Sequence, residues 1–317
     1  MRASKYRQQP IPQQRSAGRT PDLLNFFGDY VLRLEREGRT GSAANYRMAW
    51  RKFALFLGTR RLSVAQLTRE VVVEYETWLR QSGLSPNTIS FYLRYLRAVY
   101  NVVSMEISLH TRRDPFLYIR INQVATIKRA ISPANLRRIV EYDLTRRNPR
   151  MAFARDLFLF SFFARGMSFV DMAYLRKKDL KNGVLTYRRK KTGQLLTIRW
   201  EHCMARLAAR YASSPSSPYL LNILQEEKGD IRRQYHNALT VINRHLKEIG
   251  REMKLPLSLT MYVARHSWAS IAREKGIPLS VISEGMGHDS ESTTQIYLAS
   301  LEAGIVDKAN RRILGLL

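Results

Sequence analysis

Cysteine is almost missing from this chain: Cys203 stands alone among 317 residues. That excludes an internal disulfide framework and any zinc cluster built on cysteine, so folding must rest on packing. Acidic residues are scarce too, with 26 Asp and Glu against 53 Lys and Arg, a formal net charge of +27. Such an excess repels itself unless a polyanion is the usual partner. Long apolar runs are also absent. The greasiest stretch, Leu157 to Ala164, is bracketed by Arg155, Asp156 and Arg165 and falls short of the roughly 18 residues of a membrane span. The first residues, Met1, Arg2, Lys5 and Arg7, run on through Gln and Pro with no apolar segment, so no secretory leader is expected. The expected location is the cytoplasm.

What is present is enough apolar sequence, 45% of residues, to fill two cores. The positive charge is spread along the whole chain rather than gathered on one amphipathic helix, which favours nucleic acid over a lipid surface. Phosphate contacts of that kind bind any duplex and read no sequence by themselves.

Residues 1–19 are polar and read as a basic flexible tail. A helical domain is expected over 20–104. Thr20, Pro21 and Asp22 look like an N-cap followed by proline at the first helical position, leading into Leu23, Phe27, Val31 and Leu34. Further helices are expected from about Ser42 to Leu57, from Thr68 to before Gly83, and from Ser85 through Tyr100. Tyr92, Tyr95 and Tyr100 are assigned to the core, while Arg47, Arg51, Arg94 and Arg97 are expected to face a DNA backbone. Residues 105–131 lose periodicity at Thr111, Arg112, Arg113, Asp114 and Pro115 and read as a basic linker. The second domain, 132–317, shows helical patterns at 132–146, 151–164 and 168–176, then a β-hairpin formed by 183–189 and 194–200 around Lys190, Lys191, Thr192 and Gly193. Helices resume after it. The fold class expected is therefore mainly α with a small antiparallel sheet.

Chemistry concentrates in the last sixty residues. Arg265-His266-Ser267-Trp268-Ala269 is followed by Gly287-His288 and then Thr293-Thr294-Gln295-Ile296-Tyr297, with Tyr297 nine residues beyond His288. These three ordered boxes resemble the tyrosine recombinase (phage integrase) family, and the resemblance extends over the chain, because a helical core-binding domain, a basic linker and a mostly helical catalytic domain with a small sheet are that family's plan. The form expected is the simple two-domain one, without an arm-binding domain, which points toward inversion or a simple mobile element rather than a large phage-type integrase.

The resemblance implies that Tyr297 attacks a DNA phosphodiester and forms a 3'-phosphotyrosyl link, which a free 5'-hydroxyl of another strand can reverse without ATP, metal or cofactor. Arg265 would grip the non-bridging oxygens with its planar fork, and His288 would add a hydrogen bond or ease proton transfer from Tyr297. Lys191 matches the family's mobile lysine, the general acid on the departing 5'-oxygen, and Lys190 is its rival or a DNA contact. A solvated basic turn is the bland reading of both lysines. The partners implied are double-stranded DNA and further copies of the chain, assembled as a tetramer on DNA, with no small-molecule substrate and no membrane. A terminal helix within Leu301 to Leu317 carries Ile305, Val306, Ile313 and Leu314 and would dock either in cis or on a neighbouring protomer.

Two positions depart from the family pattern. Ser168 stands where the family's first arginine is expected, three residues before Asp171, and reads as the cap of the next helix. Arg165 is the candidate to bring a guanidinium to the same phosphate. Tyr262 replaces the usual histidine three residues before Arg265, fitted to donate a hydrogen bond or to pack rather than to act as a base. It is also a conceivable rival nucleophile. The alternative to an active enzyme is a catalytically weakened DNA-binding protein of the same fold. His266 and Trp268 are expected to pack and hold Arg265. If phosphate contacts carry the affinity, binding to a duplex of arbitrary sequence falls linearly on a plot of log affinity against log salt, and a salt-independent affinity in a filter-binding titration would contradict it.

Overall fold

The structure, a computed structural model, describes residues 21–108, 114–119, 121, 130–145, 147–225 and 229–287. The expected tail, most of the linker, His288, Tyr297 and the terminal helix lie outside the described residues. The chain divides into two compact units, 1–126 and 127–317. As expected, both are mainly helical, and the described strands form one small antiparallel sheet in the second.

The first unit consists of α1 (Leu23–Arg36), α2 (Thr40–Leu57), α3 (Arg69–Gln81) and α4 (Pro86–Glu106), with a 3-10 turn at Val64–Gln66. Its core is aromatic and aliphatic, with Phe27, Phe53, Tyr75, Leu93 and Leu96 buried. Each residue comes from the apolar stripe of its helix. Close approach of α1 and α2 depends on Gly28, where a Cβ would stand 3.3 Å from the Trp50 ring. Trp50 in turn donates its indole N–H to the Leu24 carbonyl at 3.0 Å.

The start of α1 differs from the sequence expectation. Asp22, not Thr20, is the N-cap, accepting the Asn25 N–H at 2.9 Å. Pro21 is outside the helix because its carbonyl accepts the Val64 N–H at 3.0 Å, so the chain is still paired with the 3-10 turn there. Ser85 caps α4 as expected, with Pro86 at the first helical position. Tyr100 is buried, and Tyr92 and Tyr95 pack against the core. Within the stretch read as linker, Phe116 is buried against Tyr100 at a centroid distance of 6.0 Å, and Asp114 accepts a hydrogen bond from Arg97 at 2.9 Å.

The second unit is arranged around α6 (Pro149–Phe163), whose residues are buried nearly all round. α8 (His202–Arg210), α9 (Ile231–Glu252) and α10 (Met261–Glu274) pack against it. A helix apolar on every side belongs at the centre of a domain. Its one buried carboxylate, Asp156, is satisfied by Arg155 Nε at 2.7 Å, the Tyr211 hydroxyl at 2.7 Å and Arg210 at 3.3 Å. α5 (Pro133–Glu141), capped by Ser132, is shorter than expected because Asp143 turns the chain by accepting from both the N–H and the hydroxyl of Thr145. α7 (Phe169–Ala173) also stops early, since Leu175 and Lys177 pair through their backbones with Leu220 and Pro218.

The expected hairpin is β2 (Val184–Arg188) against β3 (Leu195–Arg199), in register Leu185 to Ile198 and Tyr187 to Leu196, with a two-residue β1 (Leu180–Lys181) added on the outside. α11 (Leu279–Met286) closes the described part. Phe53→Ala removes a fully buried ring that touches Phe56 and Tyr75. The expected cost is about 3–5 kcal/mol in urea unfolding.

Candidate active site

The site is assembled on the turn that ends α6. Arg165 and Gly166 are consecutive left-handed residues, with φ of 58° and 68°. Glycine tolerates that region and arginine rarely adopts it, so the turn is held by its surroundings. Ser161 supplies one anchor, its hydroxyl donating to the Met167 carbonyl at 2.6 Å inside the core. This turn aims the Gly166 carbonyl at Arg265.

Arg265 is 5% exposed, on the buried face of α10. Its Nη1 donates to the Gly166 carbonyl and its Nη2 to the Met286 carbonyl, each at 2.8 Å. One guanidinium thus spans the end of α6 and the end of α11. Gly166 lies so near that a Cβ would sit 2.9 Å from the Arg265 Cα. Arg165 runs beside α11, its Cδ 3.8 Å from where a Gly285 Cβ would stand, and it donates weakly to the Thr197 carbonyl at 3.4 Å.

Ser168 caps α7, accepting the Asp171 N–H at 3.3 Å and donating its hydroxyl to Asp171 Oδ2 at 2.6 Å. Asp171 also accepts the Lys190 N–H at 2.7 Å, which fastens the hairpin loop to α7. The Lys190 ammonium lies over the Tyr174 ring at 4.4 Å, while Lys191 is exposed in the loop. Burial pushes the Tyr187 hydroxyl on β2 well above its ordinary pKa, and Asp171 adds to this, while Arg265, Arg189 and Arg165 act in the opposite sense. All four charges therefore gather around one strand.

Tyr262 is half exposed at the start of α10 and meets His266 edge to face at 4.3 Å. Trp268 packs in a small cluster with Ala269, Ile282 and Met286, against α11. Gly287 ends α11 in the left-handed region at φ 65°, and His288 and Tyr297 follow outside the described residues. Among the described residues no group of three or more His, Cys, Asp or Glu is placed to hold a metal ion.

Of the arginines expected to face DNA, Arg47 pairs with Glu35, Arg97 with Asp114, and Arg94 donates to the Ser90 carbonyl at 3.2 Å, while Arg51 is exposed. Sequence reasoning missed Arg189, which is buried with its guanidinium on the Gly287 carbonyl. The alternation of β2 held the signal: Leu185 and Tyr187 point inward, and Arg189 is next in that register. Gly166→Ala forces a side chain into a left-handed turn and against backbone atoms of Arg265. It is expected to cost about 2–4 kcal/mol in thermal or urea unfolding and to lower strand cleavage.

Comparison with known proteins gives the same reading from another direction. Residues 22–106 match the phage integrase SAM-like domain and residues 129–303 match the phage integrase family. Among curated relatives, the tyrosine recombinase XerA of Pyrococcus furiosus is 26% identical over 270 residues, covering 73% of this chain and 90% of the relative. The tyrosine recombinase XerD of Listeria innocua is 20% identical, covering 87% and 93%. Among solved structures, the Tn1549 transposon integrase in complex with transposon right end DNA superposes with a TM-score of 0.68 at 15% identity, over 93% of this chain and 99% of that one. A lambda integrase tetramer bound to a Holliday junction gives 0.64 at 13% identity, over 88% and 78%. With both domain types matched in order, the second across more than half of the sequence, the chain belongs to the phage integrase family of tyrosine recombinases.

Proposed function

We infer that the chain is a site-specific DNA recombinase that cleaves and rejoins strands through a 3'-phosphotyrosyl intermediate on Tyr297. The observation that carries this reading is the buried guanidinium of Arg265, oriented by the Gly166 and Met286 carbonyls one residue short of the Gly287-His288 box. A preorganised cation of this kind stabilises charge that builds up on phosphate oxygens as a nucleophile arrives. The hydroxyl of Tyr297 attacks phosphorus, the bond to the 5'-oxygen breaks, and the proton lost by Tyr297 is balanced by one given to the leaving oxygen.

Within that scheme Arg265 and His288 hold the phosphate, and Lys191 protonates the 5'-oxygen from the hairpin loop. Arg165 supplies the second guanidinium that Ser168 does not. The cap formed by Ser168 supports this assignment, as does the position of Arg165 beside α11, held among the described residues by one long hydrogen bond to Thr197. Tyr262 acts by donation or packing, consistent with its edge-to-face contact with His266. A DNA duplex is the substrate and partner. Arg47, Arg51, Arg94, Arg97 and Lys190 contribute phosphate contacts, for which the net charge of +27 is suited.

Assembly as a tetramer on two duplexes, with the terminal segment exchanged between copies, is the finer proposal. The lambda integrase tetramer on a Holliday junction supports it by analogy. Among the described residues no helix is long and apolar enough to cross a membrane.

A nicked suicide duplex carrying the chain's own recombination site tests the assignment. The wild-type protein should form a covalent adduct that survives denaturing electrophoresis, and Tyr297→Phe should form none. Tyr262→Phe should retain the adduct, and Arg165→Ala should cleave roughly 100-fold more slowly. An adduct that survives in Tyr297→Phe but vanishes in Tyr262→Phe would move the nucleophile to α10.

A further inference from the structure

The root of the hairpin is fastened by a residue to which the chemistry above gives no task. Arg189 follows β2 at an inward position and is 6% exposed. Its backbone closes the loop from both sides, with its N–H donating to the Gln194 carbonyl at 2.9 Å and its carbonyl accepting from Gly193 at 2.8 Å. Its side chain passes beneath Gly287: Nη1 donates to the Gly287 carbonyl, and a Cβ on that glycine would fall 2.6 Å from the Arg189 Cδ. Nε faces Asp171 Oδ2 at 3.6 Å without a hydrogen bond.

Asp171 meanwhile holds Ser168 and the Lys190 N–H. One carboxylate and one guanidinium therefore join the start of α7, the lysine loop and the turn directly before His288. Burying such a pair costs desolvation free energy that incomplete hydrogen bonding does not fully return, so its contribution is orientation more than stability. The loop's own hydrogen bonds run through its backbone, while the side-chain oxygens Thr192 Oγ1 and Gln194 Oε1 are buried without a hydrogen-bond partner among the described residues.

We propose that Arg189 is a positioning residue that, with Asp171, locks the loop bearing Lys191 onto Gly287 at the end of α11, so that the ammonium of Lys191 is held in place for the scissile phosphate. This rests on the reading of Lys191 as proton donor. As the Tyr297 oxygen bonds to phosphorus and the bond from phosphorus to the 5'-oxygen breaks, a proton passes from Lys191 Nζ to that oxygen. The products are the 3'-phosphotyrosyl diester, a 5'-hydroxyl and a neutral amine, and the phenolic proton of Tyr297 passes to water. A loop out of place leaves the alkoxide unprotonated.

A duplex with sulfur in place of the bridging 5'-oxygen isolates this step, because a thiol of pKa about 8.5 departs as thiolate without a general acid. Single-turnover cleavage of the oxygen and sulfur substrates is compared for wild type, Lys191→Ala, Arg189→Ala and Arg189→Lys, with thermal melting and gel shifts reporting fold and DNA affinity. Lys191→Ala should be about 100-fold slower or more on oxygen and recover to within about 10-fold of wild type on sulfur. Arg189→Ala should show the same pattern at about 10–100-fold, with DNA affinity unchanged. Arg189→Lys, which keeps the charge but not the fork, should lie between, and it carries the comparison alone if Arg189→Ala does not fold.

Equal slowing of the Arg189 variants on both substrates, or wild-type rates on oxygen, would overturn the proposal. Failure of Lys191→Ala to recover on sulfur removes the lysine reading itself and takes the proposal with it.

Discussion

The second unit is organised by the position of one guanidinium. Arg265 is almost entirely inside the protein, and its two Nη atoms donate to backbone carbonyls from segments 120 residues apart, Gly166 and Met286. Carbonyls orient a cation without cancelling its charge, which a carboxylate in the same place would do. The local sequence follows from this demand. Gly166 must lack a Cβ because Arg265 passes at contact distance, and α11 ends at Met286, whose carbonyl accepts from the arginine.

A second electrostatic centre, Asp171, complements the first. Its carboxylate is 3% exposed and is met by a hydroxyl, a backbone N–H and the side of Arg189. It acts on Tyr187 in the sense opposite to the three arginines, Arg265, Arg189 and Arg165, that converge there. Without it the strand would pack against uncompensated positive charge in a medium of low dielectric. With it, the net positive potential that a phosphodiester requires is kept while the hairpin stays fastened.

The parts legible in the sequence were those with short-range signatures. The helices of the first unit announced themselves through apolar spacing and the cap at Ser85, α5 of the second through the cap at Ser132, and the hairpin through β-prone flanks around Lys190–Gly193. Ser168 was readable as a cap because serine followed by an acid three residues later is a local pattern, and the hydrogen bonds are there. What the sequence did not disclose was long-range. The true cap at Asp22 depends on pairing of Pro21 with Val64, and the early end of α7 on pairing with residues more than 40 positions away. The role of Arg189 needs Gly287, 98 residues distant, and no window of sequence contains both.

The departure at Ser168 becomes intelligible in these terms. A serine there donates its hydroxyl to Asp171 and accepts the Asp171 N–H at the start of α7, so its one donor is already used within the fold. Replacing it by arginine would take away a cap worth about 1 kcal/mol and leave Asp171 seeking a new partner. The positive charge so forgone is not lost from the region, because Arg165 lies three residues before it on a strained turn and Arg189 faces the same Asp171 from the hairpin. Charge around a phosphate site is a property of the space and not of one position in the chain. A fold that brings three arginines around Tyr187 can give up a fourth and use the vacated position to hold its helix and its hairpin together.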